Sequence, residues 1–252
     1  MFLSRLLVAV LITVCACVAN ENLRFADSCY AVRADGAKGD KADAKNARLM
    51  IDAYRRAMDD TAVVEPATEG YVKSLYFYVR FVPFDKSKRT GKLDTLKNAS
   101  EQAFAKFPKN REISHVYAAA VSMWGANKNH LQAVKDGIAA KVRDVAIETE
   151  DYQVLGRAHQ LLPYIPLILS WPDKDSADKY LDLALQTDPK DLYNYFFLAE
   201  LRFDQKRYAD ALDIIERGLS RGVRTNYFLE DKRGRWQLKE LQKKINAKLD
   251  KK

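Results

Sequence analysis

The sequence predicts an all-α protein: an α-solenoid of about five degenerate helix pairs closed by a C-terminal capping helix. Three observations carry this expectation. Over Pro172–Leu219 the chain repeats itself in a register of 34 residues, Ala177, Leu181, Ala184 and Leu185 being answered by Ala211, Ile215, Gly218 and Leu219. A period of that size marks stacked helix-turn-helix units. Small side chains let two helices approach, and large apolar ones fill the groove between them. The four-then-three spacing inside the register recurs at Met50, Tyr54 and Ala57, at Leu96, Ser100 and Ala103, and at Ala133, Gly137 and Ala140. Finally, 48% of the 252 residues are apolar, with only 10 Gly and 7 Pro, a composition that supplies a core and favours helices.

Residues 1–19 read as a secretory signal outside the fold. Arg5 gives a positive start, Leu6–Val14 is an apolar run too short for a permanent membrane anchor, and small residues follow. Two processing routes stay open. Cleavage after Ala19 leaves small residues, Cys17 and Ala19, where a signal peptidase inspects them. Val14-Cys15-Ala16-Cys17 also resembles a bacterial lipobox, which would make Cys17 the lipidated first residue. Cys29 is then left alone, so no disulfide framework is expected.

The repeat domain is expected over 23–222. Leu23–Arg33, stopped near Gly36 and Gly39, and Lys41–Asp59 form the first pair, with Ala47, Met50, Tyr54 and Ala57 on the buried side. Glu65-Pro66 restarts the chain, since proline is tolerated in a first helical turn. Tyr71–Val82 is apolar nearly all round and competes as a strand. With no partner strand in the sequence, it reads as a buried inner helix. A basic loop (Lys86, Lys88, Arg89, Lys92) leads to Leu93–Phe107, completing the second pair. Ile113–Trp124 and Asn129–Val145, broken at Gly125, make the third. The fourth runs from Asp151 to Leu162, is interrupted by Pro163 and Pro166, and resumes after Trp171-Pro172-Asp173. Asp188-Pro189 is the expected start of the fifth, with Leu192, Phe196, Ala199 and Phe203 facing Tyr208, Ala211, Leu212, Ile215 and Leu219.

Residues 223–252 are expected to form the cap, a helix over about Lys232–Leu249 with Leu238, Leu241, Ile245 and Leu249 on one face. Charge concentrates there. Arg221–Lys252 holds eleven Lys and Arg against four Asp and Glu, most of the chain's net +8. A solvated cap face explains this, and attraction to acidic partners or phosphate-rich lipid is the competing reading. No nucleic-acid partner is expected of an exported chain.

Enzyme chemistry has no foothold. His115, His130 and His159 are isolated, and no metal-ligand spacing, nucleophile elbow, phosphate loop or dinucleotide fingerprint occurs. No cofactor and no metal are expected. Binding remains, and helical repeats bind on their concave face. Aromatic and polar residues on the first helix of each pair are therefore the groove candidates: Tyr76, Arg80, Tyr117, Trp124, Arg157, His159, Tyr193 and Asn194. Aromatics offer large contact area and Arg a fork for carboxylates. Arg157 and His159, beside the proline interruption, stand out because freed backbone groups lie near them.

The units are of tetratricopeptide (TPR) type, and the chain resembles exported bacterial TPR proteins, in particular the T component of TRAP transporter systems and its relatives. Trp124-Gly125, Leu155-Gly156-Arg157-Ala158-His159 with Pro163 and Pro166, Trp171, Ala177, Pro189 and the run Asn194–Glu200 carry the resemblance, which covers roughly Cys29 to Gly222. It implies a right-handed solenoid, a periplasmic and often lipid-anchored protein, and a groove that works with a periplasmic solute-binding protein. Arg202 departs from the repeat pattern, standing where an aromatic is preferred. Two further readings are an envelope-assembly scaffold lipoprotein and a carrier of a small apolar ligand whose pocket wall is Tyr71–Val82.

Overall fold

The computed structural model describes residues 21–127 and 137–250. The signal segment with Cys17, and also His130 and Ala133, lie outside the described residues. The described residues are all-helical, and consecutive helices pack on one another. The chain divides into two compact units, Met1–Ala120 and Val121–Lys252.

In the first unit α1 (21–31) leads into a turn through Gly36 and Gly39. The Asp43 carboxylate then caps α2 (Ala44–Ala57), accepting the N–H groups of Lys45 and Asn46 at 2.9 Å each. Ala47, Met50, Tyr54 and Ala57 are all buried, as their spacing requires. Tyr54 donates to Asp27 at 2.7 Å and so ties α1 to α2.

Helix α3 (Val64–Phe81) carries Pro66 in its first turn and buries Val72, Leu75, Phe77, Tyr78, Val79 and Phe81. It is packed between α2 and α4 (Lys86–Lys106), which explains an apolar surface on more than one side. The helical reading of Tyr71–Val82 holds. The basic loop does not: Lys86, Lys88, Arg89 and Lys92 form the first two turns of α4. Pro83 holds the preceding residue extended and ends α3. The carbonyl of Asp85 then accepts the N–H groups of Lys88 and Arg89, and Lys and Arg are good helix formers. Exposed Lys88 and Arg89 here mark a helix face rather than a break. Leu93, Leu96, Ser100 and Ala103 form the buried stripe of α4.

Helix α5 (Arg111–Ala126) follows, its first turn capped by the Asn110 side chain at the N–H of Ile113. It runs through Gly125 instead of breaking there, because a glycine in a last turn need not leave the helical region. It ends at Ala126, one residue past the expected break, and the next described helix, α6 (Ile138–Glu148), starts at Gly137, whose φ of +64° is left-handed. Of the helix expected over Asn129–Val145, residues 129–136 lie outside the described residues. Ala140 is exposed, and Ile138, Val142, Val145 and Ala146 are buried instead.

In the second unit, which also holds α6, α7 (Tyr152–Leu161) starts at an Asp151 cap, and α8 (Lys174–Thr187) at an Asp173 cap. Helix α9 (Leu192–Asp204) starts three residues later than Asp188-Pro189 suggests. Asp191 is its cap, accepting the N–H of Tyr193 at 3.0 Å, while Asp188 closes the end of α8. A proline followed by a second Asp leaves two capping choices, and the helix takes the one that brings Leu192 into the core. Helix α10 (Tyr208–Leu219) completes the register. Ala177, Leu181, Ala184 and Leu185, like Ala211, Ile215 and Gly218, are buried, and Leu219 packs against the same core.

After a short 3₁₀ turn (Thr225–Tyr227), α11 (Phe228–Leu249) covers α9 and α10 with Leu238, Leu241 and Ile245. It begins four residues earlier than expected, and Leu249 is 42% exposed. With 22 residues against 13 in α9, its last turn outruns the helix it packs on. The start of α11 is fixed electrostatically. Asp231, buried, receives the Arg224 guanidinium at 2.7 Å and the Arg224 N–H at 2.8 Å.

Candidate functional site

The sequence candidates fall into separate neighbourhoods. On α3, Arg80 lies one turn after Tyr76; it donates to the Tyr76 hydroxyl at 3.1 Å and covers the Tyr76 ring at 5.0 Å. Both side chains are half-buried, so this couple offers a cation and a ring edge to solvent. Tyr117, on α5, is buried and stacked on Phe104 with ring centroids 4.9 Å apart. Burial first, then the Glu101 charge, raises its hydroxyl pKa, so it stays neutral. Trp124, also on α5, is half-buried.

The other four candidates lie on α7 and α9, which run alongside each other in the second unit. Three residues of α7 at helical spacing bridge to it. Gln153 donates to Asp191 at 2.9 Å and to the Asn194 side-chain oxygen at 2.7 Å. Arg157 donates to Glu200 at 2.6 Å and lies 4.3 Å over the Phe197 ring. Gln160 donates to Asp204 at 3.0 Å. Partner numbers rise together on both helices, so α7 and α9 run in the same direction. Asn194 spends its polar atoms inside the fold: its amide donates to the carbonyls of Ala184 and Asp188 at 3.0 Å each, tying off the end of α8. Tyr193 is buried beside Phe197.

His159 faces away from this row. Its Nδ1 accepts the N–H of Asp173 at 3.1 Å, and its ring meets Trp171 edge-on at 5.0 Å and Tyr180 at 5.5 Å. Burial lowers its pKa, against the opposing pull of Asp173. An accepting Nδ1 requires the neutral ring, so geometry and titration agree. His159 thereby clips the proline-interrupted segment onto the start of α8.

Two features escape the sequence reading. The first is a cleft of about 580 Å³ bounded by α8, α9 and α10. Arg202, Arg207, Arg217 and Arg221 line it together with Asp182, Asp210 and Asp213. Arg202, nearly buried, is held by Asp178 and by Asp182 at 3.2 Å, one turn apart on α8. Its departure from the aromatic preference is the sequence signal for this cleft, because a charge at a core position needs partners. Interleaved cations and anions suit an extended polar partner better than an apolar ligand.

The second is the segment joining α7 to α8. Leu161 and Tyr164 are each 62% exposed, Ile168 67%, and Leu167 fully exposed. The prolines that mark it in the sequence do not say which side its apolar residues face. Compared with protein-family models and with curated proteins, the chain matches none of them.

Proposed function

We propose that the chain is a non-enzymatic, exported binding scaffold of TPR type that engages a protein partner in the cell envelope. The observation that carries this reading is the row of side-chain bridges between α7 and α9. Helices α7 and α9 lie side by side in the same direction, as the first helices of successive pairs do when helix-turn-helix units stack. The 34-residue register falls on buried positions of α8 and α10, which supports the same pairing. An accessory role beside a TRAP-type transporter, with a solute-binding protein as partner, follows from the resemblance of Leu155–Pro166 and Asn194–Glu200. Lipid attachment at Cys17 and a right-handed superhelix belong to the same proposal.

The charged cleft is the surface offered to that partner. A photo-crosslinking residue at exposed Ala209, on its rim, should capture one discrete envelope protein in intact cells. An identified solute-binding protein supports the transporter reading, and a barrel-assembly protein supports the assembly-scaffold reading. A protein that crosslinks to nothing in the envelope is not a scaffold there. Labelled palmitate that fails to enter at Cys17 removes the lipoprotein form.

A further inference from the structure

We propose that the turn Pro163–Leu169 is a membrane-contact element that dips its apolar tip into the interfacial zone of a phospholipid bilayer. From Gln160 to Pro172 no side chain carries charge, in a chain that is 30% charged overall. The fold could have buried such a run, yet Leu161, Tyr164, Leu167 and Ile168 all face solvent. Leu167 at the tip has φ +67°, a left-handed conformation that a leucine adopts at a cost. Being fully exposed, it recovers none of that cost by packing within the fold. Glycine or asparagine would turn the chain there with less strain, so the leucine side chain itself is what the position presents.

The turn is built rather than loose. Ile165 and Leu169 exchange backbone hydrogen bonds of 2.8 and 2.7 Å, and the Ile168 N–H reaches the Ile165 carbonyl at 3.2 Å. Pro163 and Pro166 carry no N–H at all. Most of the donors in the turn are therefore absent or already satisfied, which a medium without water demands. Its base is anchored by buried Leu169 and Pro172 and by Trp171 against His159.

These features select lipid over protein. A protein interface surrounds its apolar centre with a polar rim over an area of roughly 800 Å² per partner. A narrow tip with four apolar side chains and few hydrogen-bonding groups lacks that rim. Tyr164, with an apolar ring and a polar end, is the residue type that sits at the headgroup level. Among the described residues no helix is long and apolar enough to cross a membrane, so the contact is peripheral.

Flotation of the full chain with phosphatidylcholine–phosphatidylglycerol vesicles tests this, all variants sharing one N-terminus. The double variant Leu167→Asp with Ile168→Asp should partition at least about tenfold more weakly. Leu167→Gly should also bind less while melting no lower, since glycine accepts φ +67° without strain. With Cys15, Cys17 and Cys29 replaced by Ser, an environment-sensitive dye on Ile168→Cys should shift to the blue when vesicles are added. The same dye on Lys206→Cys should not. Unchanged partitioning of both variants, or a dye at position 168 that stays in water, overturns the proposal. So does concentration-dependent self-association that the double variant abolishes, because the tip then serves a second copy of the chain.

Discussion

The side-chain oxygen of Asn194 lies 2.7 Å from the amide nitrogen of Gln153, forty-one residues earlier. The same Asn194 donates to two carbonyls at the end of α8, so one buried amide joins three helices. Asn194→Leu removes all three bonds, leaving the Ala184 and Asp188 carbonyls only the N–H groups of Asp188 and Asp191, and the Gln153 amide only Asp191. Its expected cost is about 2–4 kcal/mol in urea unfolding, from three buried hydrogen bonds lost at about 1 kcal/mol each. Gln153→Ala, at a half-buried site, should cost about 1 kcal/mol. If the two variants are equally mild, Asn194 is not the joint described.

Gly156 is where α7 meets α8 most closely. A Cβ there would stand 2.5 Å from the Leu181 side chain and 2.9 Å from its backbone nitrogen. Two effects compete in Gly156→Ala. Helix propensity favours alanine by about 1 kcal/mol, while forcing apart a packed pair that includes backbone costs about 1–3 kcal/mol. The clash should prevail, so thermal unfolding should show net destabilisation. Glycine 91, exposed on α4 with nothing within 4 Å of the added carbon, is the control: Gly91→Ala should stabilise.

Asp231 is buried and its carboxylate is taken by Arg224 through both side-chain and backbone donors. Burial opposes the Arg224 charge, but the Asp231 hydrogen bonds and charge raise its pKa, so the guanidinium stays charged. Asp231→Ala leaves that cation only the more distant Asp191 carboxylate, at 3.7 Å, and should cost about 3 kcal/mol. The loosened element is α11, so hydrogen exchange should quicken at Leu238 and Leu241 first. Uniform quickening across the whole second unit would show instead that α11 is not a separable cover.

The helices were legible in the sequence because their signals are periodic. Met50, Leu96 and Ala177 mark buried stripes that the structure retains. What failed was punctuation. Lys86–Lys92 carries no apolar residue, and without apolar periodicity a helix face and a loop look alike. Gly125 and Gly137 are the same letter, but only the second adopts the left-handed backbone that starts a new helix. The site was harder to read. Arg157 stood out in the sequence, but Glu200 becomes its neighbour only when α7 and α9 align. The exposure of Leu161, Tyr164 and Leu167 contradicts their hydrophobicity, so no burial-based reading finds it.

His159 makes the proline-interrupted segment sensitive to acid. Its neutral ring accepts the Asp173 N–H, and burial holds its pKa below the ordinary 6.5. The unfolded chain then binds more protons than the folded one, so stability rises with pH across this window. Full stability is present above the unfolded value of 6.5 and is lost as pH falls from there through the lowered folded value. A protonated Nδ1 cannot accept, and the imidazolium loses its place between Trp171 and Tyr180. Of the groups facing this cluster, Arg143 lies over the Trp171 ring at 5.5 Å, and Asp173, its pKa lowered chiefly by Ser176, stays anionic over most of the window. Measured between about pH 7 and pH 5, wild-type stability should fall more steeply than that of His159→Phe, which keeps a ring and cannot titrate. Backbone exchange at Asp173 should quicken over the same interval. Parallel pH profiles for the two proteins would mean that His159 is not the group that titrates.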